Sequence, residues 1–369
     1  MPFCKQKCSY CNFHFSTFLN FKDEMLAAMK KEIFLRKDEL QNKNLQSLYF
    51  GGGTPSILSS DEIKSLIDEV LKYFTFDHDI EITLEANPDD LDKTFLKGLA
   101  DSPINRLSIG TQSFFEADLK LMNRAHTASE AEDSIKRAQD FGFENLSIDL
   151  IYGSPTSNLE IWKENLNKTI ALQVPHISSY ALTVEPKTAL ENWISKGKIK
   201  SPKEEEQNRE FCYLSDLLKD NGFEHYEVSN FAKPGFYSKH NSSYWKYKEY
   251  LGIGPSAHSY NGFDVRSWNI ANNQQYIKKL NSNILAKEEE ILSLKDQFNE
   301  MIMIGLRTIW GVDLNRLKEK FNGEIIEHFQ KEIQSKINGE ILIIENNHLK
   351  IPEKHWFMAD GIASDLFII

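Results

Sequence analysis

Five short apolar runs recur along the first half of the chain, and amphipathic stretches separate them. In chain order the runs are LQSLYF, DIEITLEANP, INRLSIGTQSF, NLSIDLIYG and HISSYALTVEP. Their spacing of roughly thirty residues is the size of a βαβ unit, so the strands should form a parallel sheet. This pattern allows a barrel or a doubly wound sheet. We favour the barrel, because unusual polar residues fall at the carboxyl ends of the strands, where barrel proteins carry their working residues.

The second half of the chain has a different character. Residues 223–285 are rich in aromatic residues, Gly and Asn, which predicts loops and short strands. Residues 286–369 should be mainly helical, and EILIIENNHLKI alternates like a hairpin around Asn346 and Asn347. Helices followed by a hairpin and a last helix, FMADGIASDLF, predict a winged-helix-like terminal domain. We therefore divide the chain into a barrel at 1–222, an aromatic connecting region and this terminal domain.

The composition and the charge exclude several classes of protein. A formal net charge of −11, with Lys and Glu interspersed, argues against nucleic-acid binding, which needs clustered basic residues. The longest apolar runs, such as MIMIGL, are too short to cross a bilayer. No signal peptide precedes the cysteines, and their odd number near the start does not suit disulfides. These features predict a cytoplasmic protein.

Three of the four cysteines lie within the first eleven residues. Cys4, Cys8 and Cys11 have the spacing C-x3-C-x2-C, and His14 follows three places later. A structural zinc site is one interpretation, because zinc is usually held by four Cys or His ligands. A [4Fe–4S] cluster is another: it normally takes four thiolates, so three would leave one iron free for a small-molecule ligand. Cysteines without any metal are the third.

A run of three glycines marks the end of the first predicted strand. YFGGGTPS places Gly51–Gly53 before a helix whose first residues, Ser59 and Glu62, have the spacing of a capping box. Glycines there allow a ligand to approach the backbone closely, although a tight structural turn needs them equally. The run is a poor phosphate loop, because no Lys-Ser/Thr follows. Glu85 and Asp149, at or near strand ends, could hold a ribose or an amine, or serve as helix caps or ion-pair partners.

Together these residues resemble the radical SAM superfamily. In that family C-x3-C-x2-C holds a [4Fe–4S] cluster whose fourth iron is chelated by S-adenosylmethionine (SAM), and GGGTP matches its methionine-binding motif. The resemblance narrows to the branch that contains oxygen-independent coproporphyrinogen III oxidase and HemW-type heme chaperones. It extends over essentially the whole chain, in PFCKQKCSYC, GGGTPS, EANP, RLSIGTQSF, IDLIYGSP, HNSSYW, GIGPSAHS and MADGIASDLF. The implied fold is α/β, an open (β/α)6 partial barrel followed by a smaller helical domain.

The resemblance also implies a role for each matching residue. Cys4, Cys8 and Cys11 would bind the cluster. Gly52, Gly53 and Thr54 would contact the methionine part of SAM and Glu85 its ribose. The full set of implied SAM contacts is Tyr10, Gly52, Gly53, Thr54, Glu85, Gln112, Arg124 and Asp149. The implied chemistry is transfer of one electron from the reduced cluster to the sulfonium, while the protein orients SAM and excludes water.

Departures from the oxidase pattern distinguish the members of this branch. The oxidase carries a further cysteine two places after the third, where this chain has Phe13, and it has a longer amino-terminal extension. HemW-type members lack that cysteine and contain HNxxYW, which is present here as His240–Trp245. Relatives also begin with a strand leading into PFC. We therefore expect five barrel strands instead of six, with the first strand missing or truncated.

The resemblance thus predicts a heme chaperone without coproporphyrinogen oxidase activity. Its partners would be heme and acceptor apo-hemoproteins, among which membrane respiratory enzymes are candidates. An electron donor such as flavodoxin or ferredoxin would be needed if SAM is cleaved. The oxidase itself is the alternative function, and a zinc-stabilised protein without catalytic activity is a remoter one.

His240 is the predicted axial ligand of the heme iron, because imidazole is the usual protein ligand to heme. His258 and His225 are reserve candidates. Nearby aromatic side chains could cover an apolar porphyrin face, and they are Phe236, Tyr237, Tyr244 and Trp245. Three lysines lie close enough in sequence to meet the propionates, although each could equally be a solvated surface residue. They are Lys233, Lys239 and Lys246.

Overall fold

The structure, a computed structural model, describes residues 1–369, and a curled sheet forms its amino-terminal part. Five parallel strands pair in chain order: β1 (Asn44–Phe50), β2 (Thr75–Ala86), β3 (Arg106–Gln112), β4 (Leu146–Tyr152) and β5 (His176–Ala181). Two antiparallel strands, β6 (Glu224–Glu227) and β7 (Asn230–Ala232), extend the sheet in the order β1-β2-β3-β4-β5-β7-β6. The predicted open partial barrel with five parallel strands is therefore confirmed.

Helices connect the strands and cover the outside of the sheet. They are α1 (Lys22–Leu35), α2 (Ser60–Leu71), α3 (Lys93–Ala100), α4 (Glu116–Leu121), α5 (Ala128–Asp140), α6 (Leu159–Ala171), α7 (Ala189–Ser195) and α8 (Glu204–Asp220). The predicted capping box begins α2: Glu62 N donates to Ser59 Oγ over 3.2 Å, and Ser59 N donates to Glu62 Oε2 over 2.8 Å. This reciprocal pair satisfies two backbone donors that the first helical turn leaves free.

The strands have two different faces. On β3, Leu107 and Ile109 are fully buried in the apolar core that the outer helices share. The alternate residues on the other face are polar and bond to one another across the sheet, as Ser108 Oγ does to Asp149 Oδ1 over 3.3 Å. Side chains of a strand alternate between its two faces. One set of alternate residues therefore builds the core, and the other set lines the barrel lumen. The lumen is therefore polar from strand to strand.

The aromatic connecting region contains short strands, as predicted, and a helix that was not predicted. Helix α9 (Lys239–Trp245) covers the HNSSYW motif, where we expected loop. The cause is tertiary: the carboxylate of Glu81 on β2 accepts the backbone N–H groups of Lys239 and His240, and Ser238 caps the helix through Asn241 N. The remaining elements of this region are β8 (His258–Tyr260), β9 (Val265–Asn269), α10 (Asn273–Asn281) and β10 (Lys287–Ile291). The division at 222/223 stays a prediction, and β6 and β7, which lie beyond it, pair with the barrel sheet.

The terminal part has the expected order of helices, hairpin and last helix. Its elements are α11 (Leu294–Leu306), β11 (Val312–Asp313), α12 (Leu314–Lys320), α13 (Glu324–Asn338), β12 (Ile343–Glu345), β13 (His348–Lys350) and α14 (Ala359–Ser364). The hairpin turns at Asn346 and Asn347, whose φ values of 48° and 62° suit a two-residue type I′ turn. A continuous core of 59 buried apolar residues joins this part to the barrel. None of the helices combines the length and the apolar character needed to cross a membrane.

Candidate functional site

The three clustered cysteines lie on the loop that leads into α1, beside the carboxyl end of β1. Ser9, in the middle of this loop, fixes it to the end of α4: its backbone N–H donates to Met122 O over 3.0 Å and its hydroxyl to Leu121 O over 2.7 Å. Ser9 O in turn accepts from Leu190 N, at the start of α7. Asn123 Nδ2 also donates to Lys7 O over 2.7 Å. The loop is therefore held mainly through its backbone and not through the cysteine side chains.

The surroundings of the thiols fit a metal centre that carries positive charge. Burial raises the pKa of the Cys4 and Cys11 thiols, and the neighbouring cysteines raise it further. Arg124 Nη1 donates to Cys8 Sγ over 3.2 Å. Thiolates are the form that binds metal, and half-buried thiolates this close need cationic partners. The irons of a cluster and the Arg124 guanidinium would supply that charge.

The surroundings of His14 bear on the zinc interpretation, in which it would be the fourth ligand. His14 Nε2 lies 2.7 Å from Asn273 Oδ1, so this nitrogen is engaged by another residue. This contact weighs against His14 as a metal ligand.

The glycine run follows β1 and lies against the first residues of the chain. The N–H groups of Gly53 and Thr54 donate to the carbonyl oxygens of Met1 and Phe3, each over 2.6 Å. A Cβ on Gly53 would lie 2.4 Å from Phe3 O, and Gly52 has a φ of +108°. The chain's own packing therefore requires these glycines, as the tight-turn interpretation expected. The contact of Gly52, Gly53 and Thr54 with SAM stays a prediction.

Glu85 stands at the end of β2 and faces the lumen, half-buried. Its Oε1 accepts a hydrogen bond of 2.7 Å from the hydroxyl of Tyr49 on β1. Burial raises the pKa of Glu85 to about 7, against the Tyr49 hydrogen bond, which lowers it. The nearby charge of Asp149 raises the pKa as well. An ionised carboxylate in this position can accept hydrogen bonds from the hydroxyls of a ribose.

Asp149 lies across the lumen on β4 and is also half-buried. Burial raises the pKa of Asp149 to about 6, although hydrogen bonds from Ser178 and Ser108 lower it in part. Gln112, at the end of β3, is buried and has a φ of 64°, a conformation uncommon for a residue other than glycine. These two residues and Glu85 come from neighbouring strands of the sheet, so the structure brings them to the same part of the lumen.

Arg124 connects the cluster loop to the strand ends. Besides Cys8, its guanidinium donates to Asn87 Oδ1 over 2.6 Å and to Gly110 O over 3.0 Å. Asn87 also donates to Thr54 Oγ1 over 3.4 Å. Reasoning from single residues missed Asn87, although it belongs to the EANP motif. Its position directly after a strand is the signal that could have identified it.

Tyr10 and Phe13 lie on opposite sides of Cys11 in the sequence and have different surroundings. Tyr10 is half-buried and packs against the apolar cluster of Met122, Ile151, Leu182 and Leu190. Phe13 is 72% exposed and lines a cleft of about 460 Å³ that also borders Cys11. Cys11 and Phe13 therefore border a surface cleft, whereas Tyr10 lies against apolar side chains.

His240 lies in α9, beside β1 at the open edge of the barrel. Its ring stacks on Tyr49, with centroids 4.5 Å apart and planes inclined by 18°. Nδ1 lies 3.0 Å from Ser47 Oγ, and Nε2 lies 2.8 Å from the Tyr244 hydroxyl. Burial lowers the pKa of His240 to about 4, so the imidazole is neutral, the form that binds a metal. Tyr49, whose ring stacks on His240, also donates to Glu85. A single side chain therefore separates the predicted heme ligand from Glu85.

The lysines and the reserve histidines have other surroundings. Lys239 Nζ pairs with Asp79, whereas Lys233 and Lys246 lie over the rings of Phe223 and Trp310. His258 is exposed on β8. His225 is only 8% exposed, and its ring packs on Phe231 and Trp356 with centroids 3.9 and 4.4 Å away. Heme could reach His225 only by opening this packing.

Comparisons with known proteins bear on the family and the fold of the chain. The radical SAM superfamily pattern matches residues 1–168, and the HemN C-terminal domain pattern matches residues 292–358. The heme chaperone HemW of Lactococcus lactis is 34% identical over 362 residues, which are 98% of this chain and 94% of that protein. The heme chaperone HemW of Bacillus subtilis is 34% identical over 325 residues, which are 87% and 85% of the two chains.

A solved structure shares the fold. The coproporphyrinogen III oxidase HemN from Escherichia coli, a radical SAM enzyme, superposes with a TM-score of 0.85. The match covers 100% of this chain and 88% of that chain at 22% identity. At this identity the likeness shows the architecture, including the barrel and the terminal domain, and says nothing on its own about activity.

Proposed function

Because the chain belongs to the HemW family of radical SAM proteins, we propose that it is a heme chaperone, which binds heme and delivers it to acceptor apo-hemoproteins. One observation carries the proposal: relatives named heme chaperone HemW match nearly the whole chain, terminal domain included. A [4Fe–4S] cluster and SAM are the cofactors of the radical SAM family. The predicted cofactor set of cluster, SAM and heme is therefore the set that this family uses.

The cluster would be held by the thiolates of Cys4, Cys8 and Cys11. A reduced cluster held by these three residues would supply one electron to the sulfonium of SAM. The loop's backbone bonds fix the positions of the cysteines, and Arg124 donates to Cys8. The protein's contribution is thus a rigid loop with one cation already directed at a ligand sulfur.

SAM would lie between the cysteine loop and the lumen. Glu85 would accept the ribose hydroxyls, and Asp149 and Gln112 would face the remainder of the nucleoside from the neighbouring strands. Arg124 could pair with the carboxylate of the methionine part, because its guanidinium already reaches the strand ends at Asn87 and Gly110. These roles depend on residues from separate strands, whose spacing the sheet fixes.

Heme would be bound through His240. Its imidazole is neutral at physiological pH, and tyrosine rings already lie on one face and at one edge of it. Iron ligation needs a nitrogen lone pair, so the contact between Nε2 and Tyr244 must open when heme binds. A histidine that must first give up a hydrogen bond binds the heme iron less tightly than a histidine without one. This suits a protein that has to hand heme on to an acceptor.

Coproporphyrinogen III oxidation is the competing function, because the oxidase HemN has the same fold. Against it, Phe13 occupies the position at which the oxidase carries a further cysteine, and its side chain is exposed. The deciding experiment is an anaerobic assay of the cluster-reconstituted protein with coproporphyrinogen III, SAM and a reductant. We expect no protoporphyrinogen. Appreciable formation of that product would replace the chaperone proposal with the oxidase.

A further inference from the structure

Tyr49 lies between the two ligand sites of the proposed function. Its hydroxyl donates to Glu85 Oε1 over 2.7 Å, and Glu85 is the carboxylate proposed to hold the ribose of SAM. Its ring stacks on the imidazole of His240 with a centroid distance of 4.5 Å. One side chain on β1 therefore contacts the proposed SAM residue and the proposed heme ligand at the same time.

His240 is held on three sides in this arrangement. Ser47 and Tyr244 hydroxyls lie within hydrogen-bond distance of its two ring nitrogens, and Tyr49 covers one face of its ring. A neutral imidazole has one donor and one acceptor nitrogen, so both are engaged. The observed state is thus one in which His240 is kept from an iron atom.

Tyr49 is also in close contact with the glycine run. A Cβ on Gly51 would lie 2.6 Å from Tyr49 Cε1 and 3.0 Å from Glu85 Oε1. A ligand that settles against this run therefore meets the Tyr49 ring and the Glu85 carboxylate together. The two hydroxyls of a ribose would compete with the single Tyr49 hydroxyl for the lone pairs of Glu85.

We propose that Tyr49 couples SAM binding to the release of His240. A ribose on Glu85 displaces the Tyr49 hydroxyl, and the ring moves away from the face of the imidazole. His240 is then free to turn away from Ser47 and Tyr244, which exposes a ring nitrogen to heme. The inference rests on the proposed function, with SAM at Glu85 and heme at His240. Because coupling between two sites is reciprocal, SAM and heme should each raise the affinity for the other by the same factor.

The test is a pair of anaerobic titrations of the cluster-reconstituted protein: hemin with and without saturating SAM, and SAM with and without hemin. Hemin binding is followed by its Soret band and SAM binding by calorimetry. In the wild type we expect SAM to tighten hemin binding by about fivefold or more, and hemin to tighten SAM binding equally. A wild type that binds both ligands with no mutual effect would overturn the inference and leave the proposed function standing.

Tyr49→Phe removes the hydroxyl that anchors the ring to Glu85, so the ring is no longer held against His240. We expect this variant to bind hemin without SAM about as tightly as the wild type does with SAM, and to show no coupling. Tyr73→Phe is the matched control, because the Tyr73 hydroxyl also donates to a glutamate, Glu69, but lies outside the site. It should keep the wild-type coupling.

A purely structural role for Tyr49 would give a different result. Tyr49→Phe would then lower the affinity for both hemin and SAM and retain the wild-type coupling factor. That result would refute the inference. A wild type that binds no hemin, or no SAM, would instead refute the proposed function on which the inference rests.

Discussion

The cysteine loop and helix α9 carry the two halves of the proposed function, and they are built in opposite ways. On the loop, the backbone is fixed by hydrogen bonds to α4 and α7, while the thiols have few partners. In α9, His240 has partners at both nitrogens and on one face of its ring. The loop is therefore ready for its ligand, whereas His240 must first give up contacts.

This difference suits the ligands that the two regions would take. A cluster that stays with the protein needs a permanent site, and a loop fixed through its backbone, whose thiols have few partners, provides one. Heme that is passed on must be bound and then released. The internal contacts of His240 compete with heme and so lower the net affinity of His240 for it. The comparison predicts that changes in the loop abolish binding outright, while changes around α9 shift affinities and stability by graded amounts.

The largest effect is expected on the loop. Cys4→Ala, Cys8→Ala and Cys11→Ala should each abolish the cluster, because each removes one of only three protein ligands. The readouts are iron, acid-labile sulfide and visible absorbance after anaerobic reconstitution. Cys212→Ala is the matched control, since Cys212 is exposed on α8 and far from the others in sequence. Loss of the cluster in this variant, or stoichiometric zinc without iron in the wild type, would show that the ligand set has been misread.

A smaller, graded effect is expected for the pH dependence of SAM binding. The pKa of Glu85 is raised to about 7, so the carboxylate is mostly ionised at pH 8 and mostly protonated at pH 6. Only the ionised form accepts hydrogen bonds from both ribose hydroxyls. SAM affinity should therefore fall by about tenfold from pH 8 to pH 6, which calorimetry can measure. Glu85→Gln should bind weakly with a flatter profile; an unchanged profile in this variant would assign the titration to another group.

The smallest effect concerns the attachment of α9 to the barrel. The buried Glu81 carboxylate accepts from Ser238, Lys239 and His240. Glu81→Gln should lower the free energy of unfolding by about 1–3 kcal/mol, the usual cost of a lost buried charged acceptor. Asp79→Asn, which removes exposed ion pairs to Lys239 and His78, should cost less than Glu81→Gln does. Equal costs in denaturant unfolding would mean that Glu81 does not hold the helix, and neither variant should lose the cluster.

The sequence predicts the barrel well, because local patterns determine it. Each strand is a short apolar run, each unit has the βαβ length, and the α2 capping box is visible as Ser59 and Glu62. The hairpin was predictable for the same reason, since Asn346 and Asn347 tolerate positive φ. In these elements the local preference and the final structure agree.

The parts that could not be predicted depend on contacts between distant residues. Helix α9 forms on a seven-residue segment with two serines because Glu81, more than 150 residues earlier, accepts its first N–H groups. Tyr49 was missed because it lies inside an apolar run. Counting alternate residues back from the glycine run would have put Ser47 and Tyr49 on one face. Nothing in the sequence indicates that this face meets His240.

The central claim is that His240 binds heme, and hemin titration of His240→Ala tests it most directly. His258→Ala, which removes an exposed histidine, serves as the matched control. We predict that His240→Ala binds hemin at least tenfold more weakly and with a shifted Soret band, since it loses the axial ligand, while its iron and sulfide content stays that of the wild type. His258→Ala should behave as the wild type does. If His240→Ala matches the wild type in affinity and spectrum, the claim is wrong, and a loss of binding in His258→Ala would move the ligand there.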